Sequence, residues 1–220
     1  GESTAPLALD PLRPELMFRA DWTSASPLPA LAASTVVCGC GGGAAVRAPL
    51  PRLLSRAGRL VLDADALNII AADTMLANLL RARACGTTVL TPHPLEAARL
   101  LACSTADVQA DRLQAARELA GRCNAIVVLK GSGSVVAAPG DAPSINASGN
   151  AALASAGTGD VLAGWIGGAW AQAGAATLPM GATLAIVLRA VAEHGAAAEP
   201  EGPGVLRAGD LIERLYASNR

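Results

Sequence analysis

The chain has 220 residues, a formal net charge of -1 at pH 7 and 52% hydrophobic residues, and alanine, at 50 residues, is the most frequent type. A chain of this length can bury a substantial core without disulfides or a structural metal. The near-neutral charge and the five aromatic residues argue against a protein that follows nucleic-acid phosphates or stacks on bases.

Predicted secondary structure changes character at Thr35. Residues 1–34 are rich in proline, which interrupts long elements, so we predict only short strands or turns there. Apolar runs then predict strands buried on both faces, at residues 35–38, 60–62, 88–90 and 126–129. Stretches rich in alanine, leucine and arginine predict helices at residues 49–57, 66–84, 94–102 and 106–121. This alternation predicts an α/β fold with a mainly parallel sheet and with ligands at the carboxyl ends of its strands.

The last third of the chain predicts a hairpin and two helices. Residues 134–138 and 144–146 suit the hairpin, and a stretch of 28 uncharged residues follows between Asp160 and Arg189. Such a stretch is long enough to span a membrane, but Pro179 and the Gly-Ala-Ala-Thr run before it favour two core helices separated by a turn. Its apolar surface suits a core or a subunit interface equally well. We expect a single domain over residues 1–220, no membrane or nucleic-acid partner, and a homo-oligomer.

The cysteines and the start of the chain indicate the compartment. Cysteines occur at positions 38, 40, 85, 103 and 123, without the C-x-x-C spacing of zinc sites. Their odd number argues against a disulfide framework. The sequence begins without a basic segment followed by an apolar one, as a secretion signal would have. We therefore expect a cytoplasmic protein.

A glycine-bearing turn at Gly157-Thr158-Gly159-Asp160 begins an apolar helix. Glycine permits close backbone approach, and the free amides at a helix start can hold a phosphate. Asp160 then has two interpretations, as a helix cap or as a base that deprotonates a hydroxyl attacking a γ-phosphate.

Lys130-Gly131-Ser132-Gly133-Ser134 follows a predicted strand and contains the only lysine among 17 lysine and arginine residues. The motif lacks the glycine lead-in and the Lys-Ser/Thr order of a Walker loop. An ordinary strand-to-hairpin turn with a solvated lysine is one interpretation. The other, which we favour because a single ammonium group follows a buried strand, is a site for an anionic ligand.

Three other strand ends carry polar or glycine-rich segments. His93 and Glu96 suit a substrate contact and a carboxylate for magnesium-bound water, or a core histidine and a helix-start carboxylate. Asp63 and Asp65 repeat this pattern, although Asp63 also suits a helix cap. The glycine run at residues 39–43 lacks the full G-x-G-x-x-G spacing, so it predicts close ligand approach but not a dinucleotide fingerprint.

Together the motifs resemble a known family. Residues 61–68, Thr91-Pro92-His93-Pro94-x-Glu96, residues 128–131, Asn146-x-x-Gly149-Asn150 and residues 157–164 occur in the order seen in NAD(P)H-hydrate dehydratases. These are ribokinase-like enzymes, and the resemblance extends from about residue 14 onward. It implies a three-layer α/β/α fold with a mainly parallel central sheet. The family begins with further strand-helix units, which we expect to be missing from these 220 residues.

The resemblance implies repair of hydrated NADH and NADPH with ATP or ADP and Mg²⁺, in which the ring hydroxyl is phosphorylated and phosphate is then eliminated. Asp160 would be the catalytic base and a substrate contact, and Glu96 would help to hold magnesium. The residues expected to bind the nucleotide are Lys130, Gly131, Ser132, Gly133, Ser134, Gly157, Thr158 and Gly159. The other residues expected to bind the hydrated coenzyme are Gly41, Gly43, Asp65, His93 and Asn150. Cys40 and Leu95 depart from the family, which usually has proline and glycine there.

Two alternatives to the dehydratase stay open at this point. One is a small-molecule kinase of the same superfamily, which would release a stable phosphorylated product. The other is a nucleotide-binding protein without turnover, because the family's first strand-helix units are expected to be missing.

Overall fold

A six-stranded sheet forms the centre of the computed structural model, which describes residues 10–11, 13–19, 21–174, 178–199 and 206–219. The strands lie in chain order across the sheet, and β1 to β4 are parallel whereas β5 and β6 are antiparallel to their neighbours. They are β1 (Thr35–Cys38), β2 (Arg59–Leu62), β3 (Thr88–Leu90), β4 (Ile126–Leu129), β5 (Val135–Ala137) and β6 (Ser144–Ile145). The predicted α/β fold with a mainly parallel sheet is confirmed.

Helices cover both faces of this sheet. In the first part of the described chain they are α1 (Trp22–Ala25), α2 (Leu28–Ala33), α3 (Leu50–Arg56), α4 (Ala64–Ala71), α5 (Thr74–Arg81) and α6 (Pro94–Leu101). They continue with α7 (Thr105–Ala110), α8 (Arg112–Cys123), α9 (Thr158–Gln172), α10 (Met180–Ala196) and α11 (Ala208–Ser218). Two 3₁₀ turns lie at Gly43–Arg47 and Ala151–Ala154.

Alternate strand residues enter two separate cores, which makes the fold three layers deep. Leu60 and Leu62 of β2 pack with the helices α3 to α6 and α8, whereas Val61 packs with α9 and α10. The apolar side chains of α9 and α10, among them Trp170 and Val187, lie in that second core. The two predicted core helices are confirmed, and residues 175–177 of the predicted turn lie outside the described residues. Among the helices described, none is long and apolar enough to cross a bilayer.

Three predictions of local structure are wrong. Two short helices, α1 and α2, occupy residues where only strands or turns were predicted, because Pro27 and Pro29 lie at the start of α2, where proline is tolerated. The predicted helix at 66–84 is divided, since the Asp73 side chain accepts hydrogen bonds from the first amides of α5. Asp111 divides the predicted helix at 106–121 in the same way, by starting α8.

The prediction that β1 is buried on both faces is also wrong. Val37 is 38% exposed, because β1 pairs only with β2 and forms an edge of the sheet in the described ranges. The strands β2, β3 and β4 are buried throughout, as predicted.

Arg83, in the loop between α5 and β3, connects several elements from inside the protein. Its guanidinium donates to Thr88 Oγ1 at 2.7 Å, to Leu54 O at 2.9 Å and to Ala57 O at 2.9 Å. The residue is 9% exposed, and burial lowers the pKa of the guanidinium to about 10. These charge-assisted bonds tie the end of α3 to the start of β3.

We expect Arg83→Lys to lower the free energy of unfolding by about 2–4 kcal/mol, because an ammonium cannot reach the same set of acceptors and leaves buried carbonyls unpaired. Urea denaturation of the variant and of the parent protein measures this difference. The matched control is Arg56→Lys at the exposed end of α3, which is expected to change stability by no more than ~0.5 kcal/mol. An Arg83→Lys protein as stable as the control would contradict this role.

His194 joins the two helices that cover the second core. Its Nε2 lies 2.9 Å from the carbonyl oxygen of Thr158, in the first turn of α9, so Nε2 carries the hydrogen and donates it. The ring is buried, and that burial lowers the pKa of His194. The neutral imidazole therefore anchors the start of α9 to α10.

This lowered pKa predicts a loss of stability in acid. The unfolded chain takes up a proton on His194 near pH 6.5, before the folded protein does, so stability present above that pH is lost as the pH falls below it. Protonation of this one group lowers the free energy of unfolding by at most about 1.4 kcal/mol per pH unit. Thermal unfolding measured from pH 8 to pH 5 should show a smaller loss of stability for His194→Gln than for the parent protein. The glutamine amide can still donate to the Thr158 carbonyl but takes up no proton in this range. Equal losses in the two proteins would refute the assignment.

Candidate functional site

The candidate site lies where the parallel strands end. The backbone amide of Asp63, after β2, donates to Cys38 O at 3.1 Å, and the amide of Lys130, after β4, donates to Pro92 O at 2.8 Å. The hydrogen-bond ladder thus continues past the strands and brings their polar ends side by side. This is the edge at which the sequence predicts ligands.

Lys130 reaches from the end of β4 to two other parts of this edge. Its Nζ lies 2.6 Å from Oδ1 of Asp63, whose side chain is 1% exposed against 19% for that of Lys130. A Cβ added to Gly159 would lie 3.3 Å from the same Nζ. The two segments predicted to bind the nucleotide are therefore adjacent in space.

Side-chain hydrogen bonds stabilise the turn before α9. Gly157 adopts a left-handed conformation with φ of 83° and occupies the position that precedes the helix. Thr158 is buried, and its hydroxyl lies 2.6 Å from Leu153 O and 2.8 Å from Ser155 O, so that these two carbonyls share its one hydrogen. Thr158 therefore offers a ligand only its backbone, while its side chain and the His194 contact fix the turn.

Asp160 lies in the first turn of α9 with an exposed side chain. Because Gly157 occupies the cap position and no side chain caps this helix, the cap interpretation of Asp160 is wrong. An exposed carboxylate beside free helix amides and a lysine ammonium can accept a proton from a bound hydroxyl.

Cys40, on the glycine run, faces both carboxylates of the site. Its Sγ is 3.9 Å from Oδ2 of Asp63, and the ligand atoms of Cys40, Asp63 and Asp160 all lie within 4.8 Å of one another. Burial, and then the charges of Asp63 and Asp160, raise the pKa of the Cys40 thiol to about 12. The thiol is therefore protonated at neutral pH and acts as a weak donor to these carboxylates.

The glycine run itself leaves open space. A Cβ on Gly41 or Gly43 would meet no atom within 4 Å, and both residues have positive φ, of 64° and 55°. The amide of Gly43 donates to Oδ2 of Asp65 at 2.7 Å, which joins two of the residues predicted to bind the coenzyme. Gly39 has a different role, because a Cβ there would lie 1.8 Å from the carbonyl oxygen of Asp63.

His93 and Glu96 form a capping box at the start of α6. The Glu96 carboxylate accepts from the His93 amide at 2.8 Å, and the His93 Nδ1 accepts from the Leu95 amide at 3.2 Å. The second carboxylate oxygen of Glu96 lies 3.2 Å from His93 Nε2. Glu96 is buried and the His93 side chain is 46% exposed, so only the imidazole offers much surface to a ligand.

The side chain of Asn150 bonds to backbone groups of two alanines. Its amide donates to Ala198 O at 2.8 Å, and its Oδ1 accepts from Ala152 N at 2.9 Å. Within the described ranges, neither bond reaches another residue predicted to bind the coenzyme. The side chain stabilises the turn at Ala151–Ala154.

Arg112 supports the loop at residues 130–134, although sequence reasoning gave it no role. From the first residue of α8 its guanidinium donates to Ser132 O at 2.5 Å and to Leu129 O at 3.2 Å. Gly131 has a φ of 149°, a conformation that residues with a side chain rarely adopt, and a Cβ there would also lie 2.8 Å from Arg112 Nη2. Burial lowers the pKa of Arg112. Asp63 and His194 are the other supporting residues. The sequence predicted Asp63 only as a strand-end carboxylate or a helix cap, and it gave His194 no role.

Comparison with known proteins identifies the family. The family model for NAD(P)H-hydrate dehydratase matches residues 3–208. The chain is 45% identical over 174 residues to the ADP-dependent (S)-NAD(P)H-hydrate dehydratase of Neisseria meningitidis serogroup B, an alignment that covers 78% of this chain and 57% of that protein. It is 44% identical over 140 residues to the bifunctional NAD(P)H-hydrate repair enzyme of Escherichia coli, covering 64% of this chain and 24% of that protein. The chain thus spans little more than half of the first relative and a quarter of the second.

Solved structures share the fold. The ADP/ATP-dependent NAD(P)H-hydrate dehydratase of Bacillus subtilis, co-crystallised with ATP and Mg²⁺, superposes with a TM-score of 0.70 at 26% identity, and the match covers 94% of this chain and 74% of that one. A ribokinase-like protein of Enterococcus faecalis superposes with a TM-score of 0.64 at 23% identity and covers 83% of this chain and 61% of that one, a likeness of fold alone. The fold is therefore ribokinase-like, and the chain belongs to the NAD(P)H-hydrate dehydratase family.

Proposed function

We propose that this protein dehydrates hydrated NADH and NADPH at the expense of ATP or ADP. The observation that carries the proposal is the adjacency of the Lys130 ammonium to Gly159, in the turn that presents the exposed carboxylate of Asp160. A cation, helix amides and a base at one place are the parts that phosphoryl transfer to a hydroxyl requires. The names of the relatives in the same family support the choice of substrate.

The nucleotide binds between the loop at residues 130–134 and the turn at residues 157–159. Backbone amides and the hydroxyls of Ser132 and Ser134 line the first segment, and the free amides of α9 lie in the second. Terminal phosphates then face Lys130, which is the only lysine in the chain.

Asp160 takes the proton from the ring hydroxyl of the hydrated coenzyme as that oxygen attacks the terminal phosphorus. The bond from that phosphorus to the nucleotide breaks, and the shortened nucleotide leaves. Phosphate is then eliminated from the ring together with a ring proton, which restores the double bond of NADH or NADPH. Amides of α9 and the Lys130 ammonium stabilise the negative charge on the transferred phosphoryl group.

The coenzyme lies over the glycine run. Gly41 and Gly43 have open space where a side chain would stand, Asp65 holds Gly43, and the exposed imidazole of His93 faces the same edge of the sheet. Asn150 belongs to this set on the family resemblance alone, since its hydrogen bonds serve a turn.

Magnesium fits the carboxylates of this site. Mg²⁺ takes oxygen ligands, keeps several waters and binds through one or two carboxylates together with substrate phosphates. In the part of the chain that the structure describes, the Glu96 carboxylate contacts only the amide and the imidazole of His93, which leaves lone pairs on both of its oxygens for a metal-bound water. Glu96 would help to hold the ion through such a water, and the ion would supply charge neutralisation on the phosphates. The five cysteines are all free, which supports a cytoplasmic location. Assembly as a homo-oligomer stays a prediction.

Turnover provides the direct test of this function. Incubation with ATP or ADP, magnesium and hydrated NADH should restore the absorbance of NADH, and omission of the nucleotide should abolish the recovery. A stable phosphorylated product would identify a small-molecule kinase instead. Nucleotide binding without any transfer would identify a binding protein, and no binding at all would overturn the proposal.

Asp160→Asn should lower turnover by about two to four orders of magnitude, the range typical of general-base loss, and leave nucleotide affinity nearly unchanged. Steady-state kinetics and calorimetry measure the two effects. The matched control is Asp141→Asn, an exposed carboxylate between β5 and β6 at the opposite end of the sheet, which should behave as the parent protein. If Asp160→Asn kept more than a tenth of the activity, Asp160 would not be the base.

A further inference from the structure

Asp63 is a buried carboxylate that the phosphoryl transfer described above does not use. It occupies the residue before α4, where an aspartate normally accepts hydrogen bonds from the helix amides, yet its side chain makes no such bond. It turns instead to the Lys130 ammonium, 2.6 Å away. The Asp63 side chain therefore does not cap α4. This carboxylate is only 1% exposed, and its charged partner is the Lys130 ammonium.

We propose that Asp63 is a positioning residue that holds the Lys130 ammonium in front of the turn before α9, where the transferred phosphoryl group is bound. This inference rests on the proposed function, because it concerns the same nucleotide site. Asp63 touches neither the nucleotide nor the coenzyme and acts only through Lys130.

Lysine needs such a partner more than arginine does. Its ammonium stands on a flexible four-carbon chain that samples many rotamers, whereas the site requires it at one point beside Gly159. The backbone of Lys130 is fixed by the bond to Pro92, but that bond does not direct the side chain. Asp63 directs it from the neighbouring strand end.

Asp63 is itself held on several sides. Its amide donates to Cys38, and its carbonyl closes over Gly39, where no Cβ can fit. Its second carboxylate oxygen faces the protonated thiol of Cys40 at 3.9 Å. These contacts fix the position of the Asp63 carboxylate, and the hydrogen bond to it restricts the flexible Lys130 side chain.

The ion pair need not open for a phosphate to bind. An ammonium has three N–H donors, and Asp63 takes one of them, so two remain for oxygens of the bound nucleotide. Asp63 thus keeps the cation in place before and during transfer.

A double-mutant cycle tests the proposal, with Asp63→Asn, Lys130→Gln and the double variant assayed for kcat/KM with ATP and for ATP affinity by calorimetry. Asp63→Asn alone should lower kcat/KM about 10- to 100-fold, by analogy with the loss that follows removal of the outer-shell partners of metal ligands. In the Lys130→Gln background the same change should have less than a twofold effect, because Asp63 then has nothing to position. Asp141→Asn is the matched control, and thermal unfolding checks that each protein is folded.

Multiplicative effects of the two changes, or an Asp63→Asn protein within twofold of the parent, would overturn the proposal. If Asp63→Asn does not fold, Asp63→Glu replaces it in the cycle, since it keeps the charge and displaces the carboxylate by one methylene. Asp63→Glu should lower kcat/KM about 3- to 10-fold in the parent protein. In the Lys130→Gln background it should lower kcat/KM no further. A parent protein that binds no ATP would refute the proposed function rather than this inference, so the two failures are distinguishable.

Discussion

The ion pair between Asp63 and Lys130 is the interaction on which the site depends. It joins the ends of β2 and β4 across β3, and it brings a positive charge to the start of α9. Removing one member of a buried pair leaves the other charge uncompensated, which typically costs about 3–5 kcal/mol. Here the pair fixes the position of the only lysine ammonium in these 220 residues.

Side-chain hydrogen bonds to backbone carbonyls stabilise the segments around this ion pair. Arg112 binds the carbonyls of the loop that follows Lys130, and His194 binds the carbonyl of Thr158 below the turn. Glycine is needed at two nearby points, since a Cβ on Gly39 would collide with the carbonyl oxygen of Asp63 and Gly131 has a positive φ of 149°. The positions of Lys130 and Asp160 are therefore set by backbone and by supporting side chains, which is the preorganisation that electrostatic catalysis requires.

Much of this architecture was predictable from the sequence, and the rest failed for identifiable physical reasons. Apolar runs located β2, β3 and β4 because both of their faces are buried, whereas β1 has the same composition and is a sheet edge. The helix divisions at Asp73 and Asp111 depend on single side-chain caps inside helix-compatible stretches. Motif order located Lys130 and Asp160, but the partnership of Lys130 with Asp63 crosses 67 positions of sequence and depends on strand register, which no local pattern reveals.

The proposed mechanism requires Lys130 and Asp160 to face the same phosphate chain. A crystal structure with a non-hydrolysable ATP analogue tests it most directly. We expect the Lys130 ammonium within hydrogen-bond distance of a terminal phosphate oxygen while still bound to Asp63, with the amides of α9 on that phosphate and Asp160 beside it. A nucleotide whose terminal phosphate lies away from Lys130 and from the turn before α9 would contradict this mechanism.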